Sequence, residues 1–357
     1  MKALIAMSGG VDSSVAAYLT QQAGYDCIGC TMKLYDNGDA GLPQSRTCCS
    51  LDDVEDARSV AYRLGMPYYV FNFCEGFREC VIDKFVRAYE AGLTPNPCIE
   101  CNRAMKFEKL YERAKVLGCD MIVTGHYARI ERDGERYLLK KAKDAAKDQS
   151  YVLYFLSQEQ LAHTRFPLGG MKKTETRRVA EENGFVNAEK PDSQDICFVP
   201  DGDYAAFLAR RTGKTYPEGD FITPDGKVLG RHKGIVRYTV GQRKGLGLAL
   251  PAPLYVKEIR VRDNTVVLCK NEELYQREAA VGDFHWISGE APTAPIRCKA
   301  KVRYRQAEQD ATAIPEGDAR VRIVFDEPQR AVTPGQAAVL YDGDTVLGGG
   351  TILPAEA

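Results

Sequence analysis

The chain has 357 residues, and its 48 lysines and arginines nearly balance its 49 aspartates and glutamates. A length well above that of a typical domain predicts two or three domains. The near-zero net charge argues against a generally basic nucleic-acid binder, although local basic faces could still contact phosphates. The sequence has no run of about 18 apolar residues that could span a bilayer, so we expect that the chain is not a membrane protein. The apolar run over residues 3–7 is too short for a signal peptide, and a cytoplasmic location is expected.

The first half of the chain alternates apolar runs with amphipathic segments. Residues 2–7 form an apolar run that passes through a Gly-rich turn into a helical pattern, and a second run covers residues 25–32. The order repeats with the helical segments LDDVEDARSVAYRLG and FEKLYERAKVLG, which precede the runs MPYYVFNF and CDMIVTGHY. Strands that alternate with helices predict an α/β fold with a doubly wound parallel sheet.

The pattern changes after about Asp203, where the long helical segments stop. Strand-like runs within residues 225–269 predict a small β-rich module, and the short strands from Asn271 onward predict a terminal β-barrel. We therefore predict an α/β domain over residues 1–203, a central β-rich module over 204–270, and a C-terminal β-barrel over 271–357.

The first turn reads SGGVDSS and lies between a strand and a helix. Its backbone N–H groups and the helix N-terminus favour an anion such as pyrophosphate. The turn lacks the Lys with which a P-loop holds the β and γ phosphates, which favours chemistry at the α phosphate. SGGxDS resembles the signature of the ATP pyrophosphatases, which adenylate a carbonyl oxygen and release pyrophosphate. The alternative is a Gly-rich turn whose Ser and Asp only cap a helix.

Three of the twelve cysteines stand apart from the others. Cys98 and Cys101 form a CxxC motif that two prolines place at a helix start, where a thiol pKa is lowered. Cys197 is surrounded by turn-forming and acidic residues, which is not typical of a core thiol. Structural zinc is an alternative, but it needs four ligands, and the adjacent Cys48 and Cys49 rarely bind one metal together. The remaining positions are typical of small buried side chains: Cys27, Cys30, Cys74, Cys80, Cys119, Cys269 and Cys298.

A series of ordered segments resembles the tRNA-specific 2-thiouridylases, which convert the wobble uridine of certain tRNAs to 2-thiouridine. The similarity runs nearly end to end through AMSGGVDSS, CCSLDDVEDARSVA, TPNPCIECNRAMKF, VTGHYARI, KDQSYVLYFL, DSQDICFVP, GRHKGIVRYTVGQRKGLG, KVRYR and VTPGQAAVLY. The resemblance implies an adenine-nucleotide α-hydrolase-like N-terminal domain that uses ATP and Mg²⁺, with Asp12 as a candidate ligand of the metal. Residues 1–203 would then be an ATP-pyrophosphatase catalytic domain, and the module over 204–270 would bind tRNA. The implied partners are tRNA and a cysteine desulfurase or sulfur-relay protein as the sulfur donor.

The resemblance also implies a reaction. Uridine O2 attacks the α phosphate of ATP and expels pyrophosphate, after which a persulfide sulfur on Cys197 attacks C2 and AMP leaves. Cys101 releases that sulfur by closing a disulfide with Cys197. The chemistry is reasonable because AMP leaves far better than a carbonyl oxygen, and a persulfide is a strong nucleophile at neutral pH.

The matched positions imply three sets of contacts. The nucleotide would meet Ala6, Met7, Ser8, Gly9, Gly10, Val11, Asp12, Ser13, Met32 and Gly125. The target base would face Asn96, Pro97 and Cys98. The tRNA would contact His126, Lys147, Asp148, Gln149, Arg303, Tyr304 and Gln336. For His126 the alternative is a strand-end histidine whose hydrogen bonds are satisfied by its neighbours.

One position departs from the family pattern. Many members carry aspartate, a candidate base for the partner cysteine, where this chain has Cys98. Cys98, Cys101 and Cys197 could instead hold a [4Fe–4S] cluster with an open iron for sulfide, which gives an alternative route to the same product.

Two other functions remain: an ammonia-delivering ATP pyrophosphatase, which would have no use for Cys197, and a non-catalytic module that binds nucleotide or RNA.

Two basic segments could contact the tRNA backbone. Basic residues alternate over 297–305, which on a strand places them on one face that suits phosphates. Solvated strand edges also use Lys and Arg to prevent aggregation. The second segment contains Arg231, His232, Lys233, Arg237, Arg243 and Lys244. The target uridine would have to flip out of the anticodon loop into the cleft.

Overall fold

The computed structural model describes residues 1–36, 51–192, 196–249, 252–317 and 319–355. Cys48 and Cys49, considered above as metal ligands, lie outside these ranges. Within them, no helix combines the length and the apolar character needed to cross a membrane. The described residues form three sheets.

Seven strands lie in the described residues of the N-terminal part. In chain order they are β1 (Lys2–Ala6), β2 (Asp26–Lys33), β3 (Tyr68–Asn72), β4 (Met121–Val123), β5 (Ala128–Asp133), β6 (Arg136–Lys141) and β7 (Thr164–Arg165). Five of them form a parallel sheet in the order β3-β2-β1-β4-β7. Strands β5 and β6 pair with each other as an antiparallel hairpin.

The described helices follow the predicted alternation. They are α1 (Val11–Gln22), α2 (Leu51–Arg63), α3 (Cys74–Phe77), α4 (Asp83–Glu90), α5 (Pro97–Glu100), α6 (Leu110–Val116), α7 (Gln158–Ala162), α8 (Lys173–Glu182) and α9 (Tyr204–Thr212). Two π-helical segments connect some of these short helices into longer ones. Arg78–Ile82 joins α3 to α4, and Cys101–Lys109 joins α5 to α6.

Both faces of the parallel sheet are buried. Neighbouring residues of β1 point to opposite faces, so that Leu4 packs in one core with Phe77, while Ile5 packs in the other with Val15. A strand covered on both faces needs apolar residues at consecutive positions, which explains the unbroken run in the sequence. The predicted doubly wound fold is confirmed.

The central module is a mixed sheet with the order β10-β11-β8-β9. Its strands are β8 (Gly219–Ile222), β9 (Val228–His232), β10 (Tyr255–Arg260) and β11 (Thr265–Cys269). The sheet begins earlier than the strand-like sequence runs suggested. Strand β8 lies in a stretch rich in Gly, Pro and Asp, and its Phe221 and Ile222 are buried in the core.

The C-terminal part is a closed antiparallel barrel. Its strands are β12 (Tyr275–Trp286), β13 (Ile296–Lys301), β14 (Gln309–Pro315), β15 (Val321–Arg330), β16 (Ala337–Asp342) and β17 (Thr345–Ile352). They follow the order β12-β15-β14-β13-β16-β17, and pairing of β12 with β17 closes the ring. The predicted β-barrel is therefore confirmed. The β5–β6 hairpin extends this sheet through the pair Thr345 and Lys140.

The prediction of one basic strand over residues 297–305 is wrong for residues 302–305. Strand β13 ends at Lys301, and the chain then turns, with the N–H of Gln306 donating to the carbonyl of Arg303 at 3.2 Å. On the strand itself, the guanidinium of Arg297 forms a paired contact with Asp326 at 2.8 Å. The face is therefore partly neutralised and does not continue to residue 305.

The barrel contacts the segment that leads into the CxxC motif. The side-chain amide of Gln336 donates to the carbonyl of Thr94 at 2.6 Å, and the N–H of Thr94 donates to the carbonyl of Pro334 at 2.9 Å. Between these contacts Gly335 has a φ of +89°, and a Cβ there would lie 2.9 Å from both the nitrogen of Thr94 and the Cβ of Leu93. This glycine permits the close approach.

We expect Gly335→Ala to lower the urea midpoint of unfolding. A side chain at positive φ costs about 1 kcal/mol, and the overlap with the Thr94 backbone adds roughly 1–3 kcal/mol. Gly343→Ala is the matched control, because Gly343 also has a positive φ, of +57°, but a Cβ added there would have nothing within 4 Å. Equal shifts of the two midpoints, measured by far-UV circular dichroism, would show that the contact is unimportant.

Candidate active site

The turn that follows β1 is fixed by close backbone packing. Gly9 has a φ of +76°, and a Cβ at this position would overlap the backbone of Asp53. Gly10 is the N-cap of α1 and provides no side-chain cap to the first turn of the helix. The N–H groups of such a turn have no intrahelical acceptor, and the positive end of a 12-residue helix lies there. The arrangement favours a bound anion.

Hydroxyl groups hold the shape of this turn from within. The Ser13 hydroxyl accepts from the N–H of Ser8 at 3.1 Å and donates to the carbonyl of Gly10 at 2.9 Å. The Ser14 hydroxyl donates to the same carbonyl at 3.2 Å. Gly125 packs against the turn from the end of β4, where a Cβ would lie 2.8 Å from the carbonyl carbon of Asp12. Two predicted nucleotide residues, Gly125 and Asp12, are thus brought together.

Two lysines reach the turn from distant parts of the chain. The ammonium of Lys173 donates to both carboxylate oxygens of Asp12, at 2.7 and 2.8 Å. The ammonium of Lys190 contacts Asp53 at 2.6 Å and the carbonyl of Gly9 at 3.4 Å. The sequence pattern revealed neither lysine, because neither belongs to the SGGVDSS motif. Only the fold places these positive charges beside a turn that has no lysine of its own.

Asp12 does not by itself form a metal site. Besides Lys173, its carboxylate accepts a hydrogen bond of 2.9 Å from the hydroxyl of Tyr127. Across the part of the chain that the structure describes, no three His, Cys, Asp or Glu side chains are grouped so that they could hold a metal ion. Mg²⁺ commonly takes only one or two protein carboxylates together with the phosphates of its nucleotide. The predicted Mg²⁺ ligand Asp12 therefore stays a prediction.

The CxxC motif lies at a helix start, as its prolines predicted. Helix α5 begins at Pro97, and the side chain of Asn96 caps it by accepting from the N–H of Cys98 at 3.1 Å. Cys98 is exposed, whereas Cys101 is partly buried and begins the first π-helical turn that follows. π-Helical turns occur often at functional sites.

Cys197 is partly buried and is anchored through its backbone. Its carbonyl accepts a hydrogen bond of 2.8 Å from the hydroxyl of Tyr35. The next residue, Phe198, packs edge-on against Phe85 with 5.3 Å between the ring centroids. Cys101 and Cys197 both border the large core that contains these rings.

The three cysteines do not form a cluster site in this conformation. Cys98, Cys101 and Cys197 all belong to the described residues, yet they are not among any group of three potential metal ligands. A [4Fe–4S] cluster bound by these thiols would need them to converge. The geometry as it stands does not fit that cofactor.

His126 is buried in the core of the N-terminal domain. Its Nδ1 lies 2.6 Å from the hydroxyl of Thr124 and its Nε2 lies 3.4 Å from the ammonium of Lys106. Burial, followed by the charge of Lys106, lowers the pKa of His126 well below 6.5. The ring is therefore neutral at physiological pH, and its buried position favours a packing role. The predicted contact of His126 with tRNA stays a prediction.

The Lys147-Asp148-Gln149 segment is partly buried and hydrogen-bonded. Lys147 pairs with Asp192 at 2.8 Å. The carboxylate of Asp148 accepts from the hydroxyl of Ser150 at 2.8 Å, and the side chain of Gln149 accepts from the N–H of Tyr127 at 2.9 Å. These contacts give the segment a defined position, while its predicted role with tRNA is untested.

Tyr304 connects the C-terminal part of the chain to the Lys147-Asp148-Gln149 segment. Its hydroxyl donates to the carbonyl of Asp148 at 3.3 Å. Burial raises the pKa of Tyr304, and negative charge on Asp148 adds to the rise. Two residues predicted to contact tRNA, Tyr304 and Asp148, are therefore in contact with each other.

Other predicted basic contacts are engaged inside the protein. One guanidinium nitrogen of Arg303 donates to the carbonyl of Ala331 at 2.8 Å and to the hydroxyl of Thr333 at 2.9 Å. His232, counted above in a basic segment, is only 1% exposed, and its Nε2 lies 2.9 Å from the carbonyl of Asn264. Burial lowers the pKa of His232, so this residue is a core side chain and not part of a basic surface.

Comparison with protein families defines the class. Residues 1–201 match the tRNA methyl transferase HUP domain, residues 205–270 match the tRNA methyl transferase PRC-barrel domain, and residues 276–352 match the aminomethyltransferase beta-barrel domain. The first match covers more than half of the chain and agrees with the parallel sheet and the glycine turn. The chain is thus a HUP-domain protein followed by two β domains.

Curated relatives give the particular family. The tRNA-specific 2-thiouridylase MnmA of Clostridioides difficile (strain 630) is 50% identical over 98% of each chain. The protein of the same name from Symbiobacterium thermophilum is 51% identical over 98% of this chain and 92% of the relative. The chain therefore belongs to the tRNA-specific 2-thiouridylase family, as its sequence predicted.

Solved structures are more distant. A complex of a 4-thiouridine synthetase with RNA and bound ATP has a TM-score of 0.37 and 20% identity, covering 59% of this chain and 50% of that chain. A similarity at this level supports no functional conclusion.

We expect Gly125→Ala to weaken nucleotide binding. The new methyl group would overlap the Asp12–Ser13 peptide, which cannot shift without distorting the turn. A loss of about tenfold or more in the affinity for ATP, measured by isothermal titration calorimetry, corresponds to roughly 1.4 kcal/mol. Gly170→Ala serves as the control, since nothing lies within 4 Å of a Cβ at that position. Equal affinities for the two variants would exclude the Gly125 contact from the nucleotide site.

Proposed function

We propose that the chain catalyses the ATP-dependent 2-thiolation of the wobble uridine of tRNA. The observation that carries the proposal is the connection between the nucleotide turn and the segment of Cys197. Lys173 bonds to Asp12 in the turn at 2.7 Å and to Asp192 at 2.8 Å, and Asp192 precedes Cys197 by only five residues. The groups for activation and for sulfur transfer are thus joined in one domain. The curated relatives that span the whole chain carry this activity in their name.

The turn and its lysines would perform the activation. The first turn of α1 would receive the phosphates of ATP, with the charges of Lys173 and Lys190 nearby to stabilise the leaving pyrophosphate. Uridine O2 attacks the α phosphorus, the bond to the β phosphate breaks, and C2 then carries an adenylate. Mg²⁺ would add charge neutralisation at the phosphates, but no step assigned to the residues of this chain requires it.

The cysteines would perform the transfer. The terminal sulfur of a Cys197 persulfide attacks C2, and AMP leaves with the oxygen that was O2. The thiolate of Cys101 then attacks Sγ of Cys197, so that the sulfur–sulfur bond breaks, its electron pair remains with the sulfur on C2, and a Cys101–Cys197 disulfide forms. An external dithiol must reduce that disulfide before the next cycle, and a cysteine desulfurase or relay protein must supply the next persulfide sulfur.

The target base would lie near Asn96, Pro97 and Cys98. Cys98 is exposed at the start of the helix, and Tyr304 is 36% exposed. An exposed aromatic ring is the kind of surface on which a flipped base stacks. The remaining tRNA contacts, at Lys147, Asp148, Gln149, Arg303 and Gln336, are part of the same proposal, which omits His126 because its ring is buried and hydrogen-bonded.

We expect Cys197→Ser and Cys101→Ser each to reduce thiolation of tRNA by about 100-fold or more, as for removal of a nucleophile that acts in a covalent step. Activation precedes sulfur transfer, so Cys197→Ser should still release pyrophosphate in the presence of tRNA and ATP. Cys80→Ser is the control, because Cys80 is also partly buried but has no proposed role. Thiolation is measured by mass spectrometry of tRNA nucleosides, and full activity in either active-site variant would disprove the role of that cysteine.

The same preparations distinguish the persulfide route from the cluster route. The persulfide route predicts that anaerobically purified, active protein contains no stoichiometric iron or acid-labile sulfide. Broad visible absorption with matching iron and sulfide, lost together with activity in Cys98→Ser, would establish the [4Fe–4S] alternative. Pyrophosphate without any thiolated uridine would point to another ATP pyrophosphatase, and neither product would point to a binding module.

A further inference from the structure

The glycine turn can hold an anion only if its peptide groups point in the right direction. The N–H groups of Gly10, Val11 and Asp12 have no acceptor among the residues that the structure describes, so they are available to phosphates. Each belongs to a planar trans peptide group, in which the N–H and the preceding carbonyl point in opposite directions. Any group that holds the carbonyl of Gly9 therefore also sets the direction of the Gly10 N–H.

The peptide between Gly9 and Gly10 needs such a hold. It is the one peptide of SGGVDSS that has a glycine on both sides, and without a Cβ both residues populate positive and negative φ about equally. Rotation of this peptide by half a turn would point the Gly9 carbonyl oxygen toward the phosphates. An N–H donor would then be replaced by an acceptor that repels the anion.

Asn187 holds the Gly9 carbonyl from a distant part of the chain. Its side-chain amide donates to this carbonyl, 178 positions away in the sequence, and to the hydroxyl of Ser14, both at 2.9 Å. The Ser14 hydroxyl in turn donates to the carbonyl of Gly10 at 3.2 Å. Asn187 thus fixes two successive carbonyls of the turn, the first directly and the second through Ser14.

The neighbours of Asn187 determine which way its amide faces. The carbonyl of Gly9 can only accept, so the nitrogen of the amide must face it. Asn187 is 2% exposed, and its buried side-chain oxygen has no hydrogen-bond partner among the described residues. A buried acceptor without a donor costs free energy, which an apolar side chain of similar size would avoid. The two donated hydrogen bonds are therefore what an amide contributes at this position.

Lys190 contacts the same carbonyl at a longer distance. Its ammonium lies 3.4 Å from the oxygen of Gly9, whereas it contacts Asp53 at 2.6 Å and Asp56 at 2.7 Å. The two carboxylates are the closer partners of this ammonium. Asn187 therefore provides the shorter hydrogen bond to Gly9.

We propose that Asn187 is a positioning residue for the phosphates of ATP. It holds the Gly9–Gly10 peptide with its N–H toward the nucleotide and keeps the turn in the conformation that binds. The apparent affinity for ATP falls in proportion to the fraction of molecules in which this peptide points the right way. The inference rests on the proposed function for the identity of the ligand, and it adds a residue outside SGGVDSS that controls the affinity.

The test compares a ligand that has phosphates with one that has none. Asn187→Leu removes both donors and keeps a branched side chain, and we expect the affinity of the full-length protein for α,β-methylene-ATP to fall about tenfold, as for one competent molecule in ten. Isothermal titration calorimetry measures this affinity. The affinity for adenosine, measured by equilibrium dialysis, should change less than about twofold, because adenosine has no phosphate to meet the turn. Equal losses for both ligands, or an unchanged affinity for the analogue, would overturn the positioning role.

Asn102→Leu is the matched control. Asn102 is 4% exposed, and its amide also donates to a carbonyl, that of Val152 at 3.4 Å, which is not part of the turn. Thermal unfolding of both variants measures the cost of removing a buried amide. The control should bind the analogue within about twofold of the wild type. A tenfold loss in the control as well would assign the effect to general destabilisation and would overturn the inference.

Steady-state thiolation separates positioning from damage to the reaction. Since the peptide decides how often the turn can bind, Asn187→Leu should raise the KM for ATP about tenfold and leave kcat within about twofold. A fall in kcat with an unchanged KM would overturn the inference. Wild-type protein that does not bind the analogue would contradict the proposed function itself, whereas normal binding by Asn187→Leu contradicts only the role of Asn187.

A smaller side chain provides the test if Asn187→Leu does not fold. Asn187→Ala also removes both donors, but it leaves space in which a water molecule can donate to the Gly9 carbonyl in place of the amide. We therefore expect a smaller loss of affinity for the analogue, about threefold, again with adenosine unaffected. An unchanged affinity for the analogue in this variant would likewise overturn the inference.

Discussion

The ammonium of Lys173, shared between the carboxylates of Asp12 and Asp192, is the interaction on which the proposed active site most depends. The nucleotide turn itself contains no cation, and its anion affinity comes from backbone N–H groups and a helix terminus. Lys173 adds the missing charge and also contacts Asp192, which precedes Cys197 by five residues in the sequence. One side chain thereby contacts both the proposed site of activation and a residue close in sequence to the proposed sulfur carrier.

A second constraint is the dependence of the CxxC segment on the C-terminal barrel. Gln336 contacts Thr94 just ahead of the motif, and the hydroxyl of Tyr304 donates to the carbonyl of Asp148. The hydroxyl of the buried Tyr151 donates to the carbonyl of Ala337 at 2.7 Å, which fixes the same junction from the N-terminal side. The barrel is therefore a structural support of the reaction centre as well as a proposed surface for tRNA.

Local patterns in the sequence were sufficient to predict the family, the parallel sheet, the glycine turn and the helix that begins at Pro97. Each of these is encoded in a short stretch, as apolar runs, a fixed motif or a proline pair. The contacts of Lys173 and Lys190 could not be found in this way, because they join residues 161 and 137 positions apart. Strand β8 was missed because it is only four residues long and two of them are Gly and Asp. The two buried histidines, His126 and His232, show that a basic residue within a motif need not reach the surface.

The central claim is that uridine O2 attacks the α phosphorus of ATP bound at the SGGVDSS turn. The most direct measurement uses tRNA whose target uridine carries ¹⁸O at O2, with mass spectrometry of the AMP formed in a single turnover. The account predicts that the label appears in the phosphate of AMP while sulfur replaces it on the base. AMP without the label, formed together with 2-thiouridine, would contradict the account.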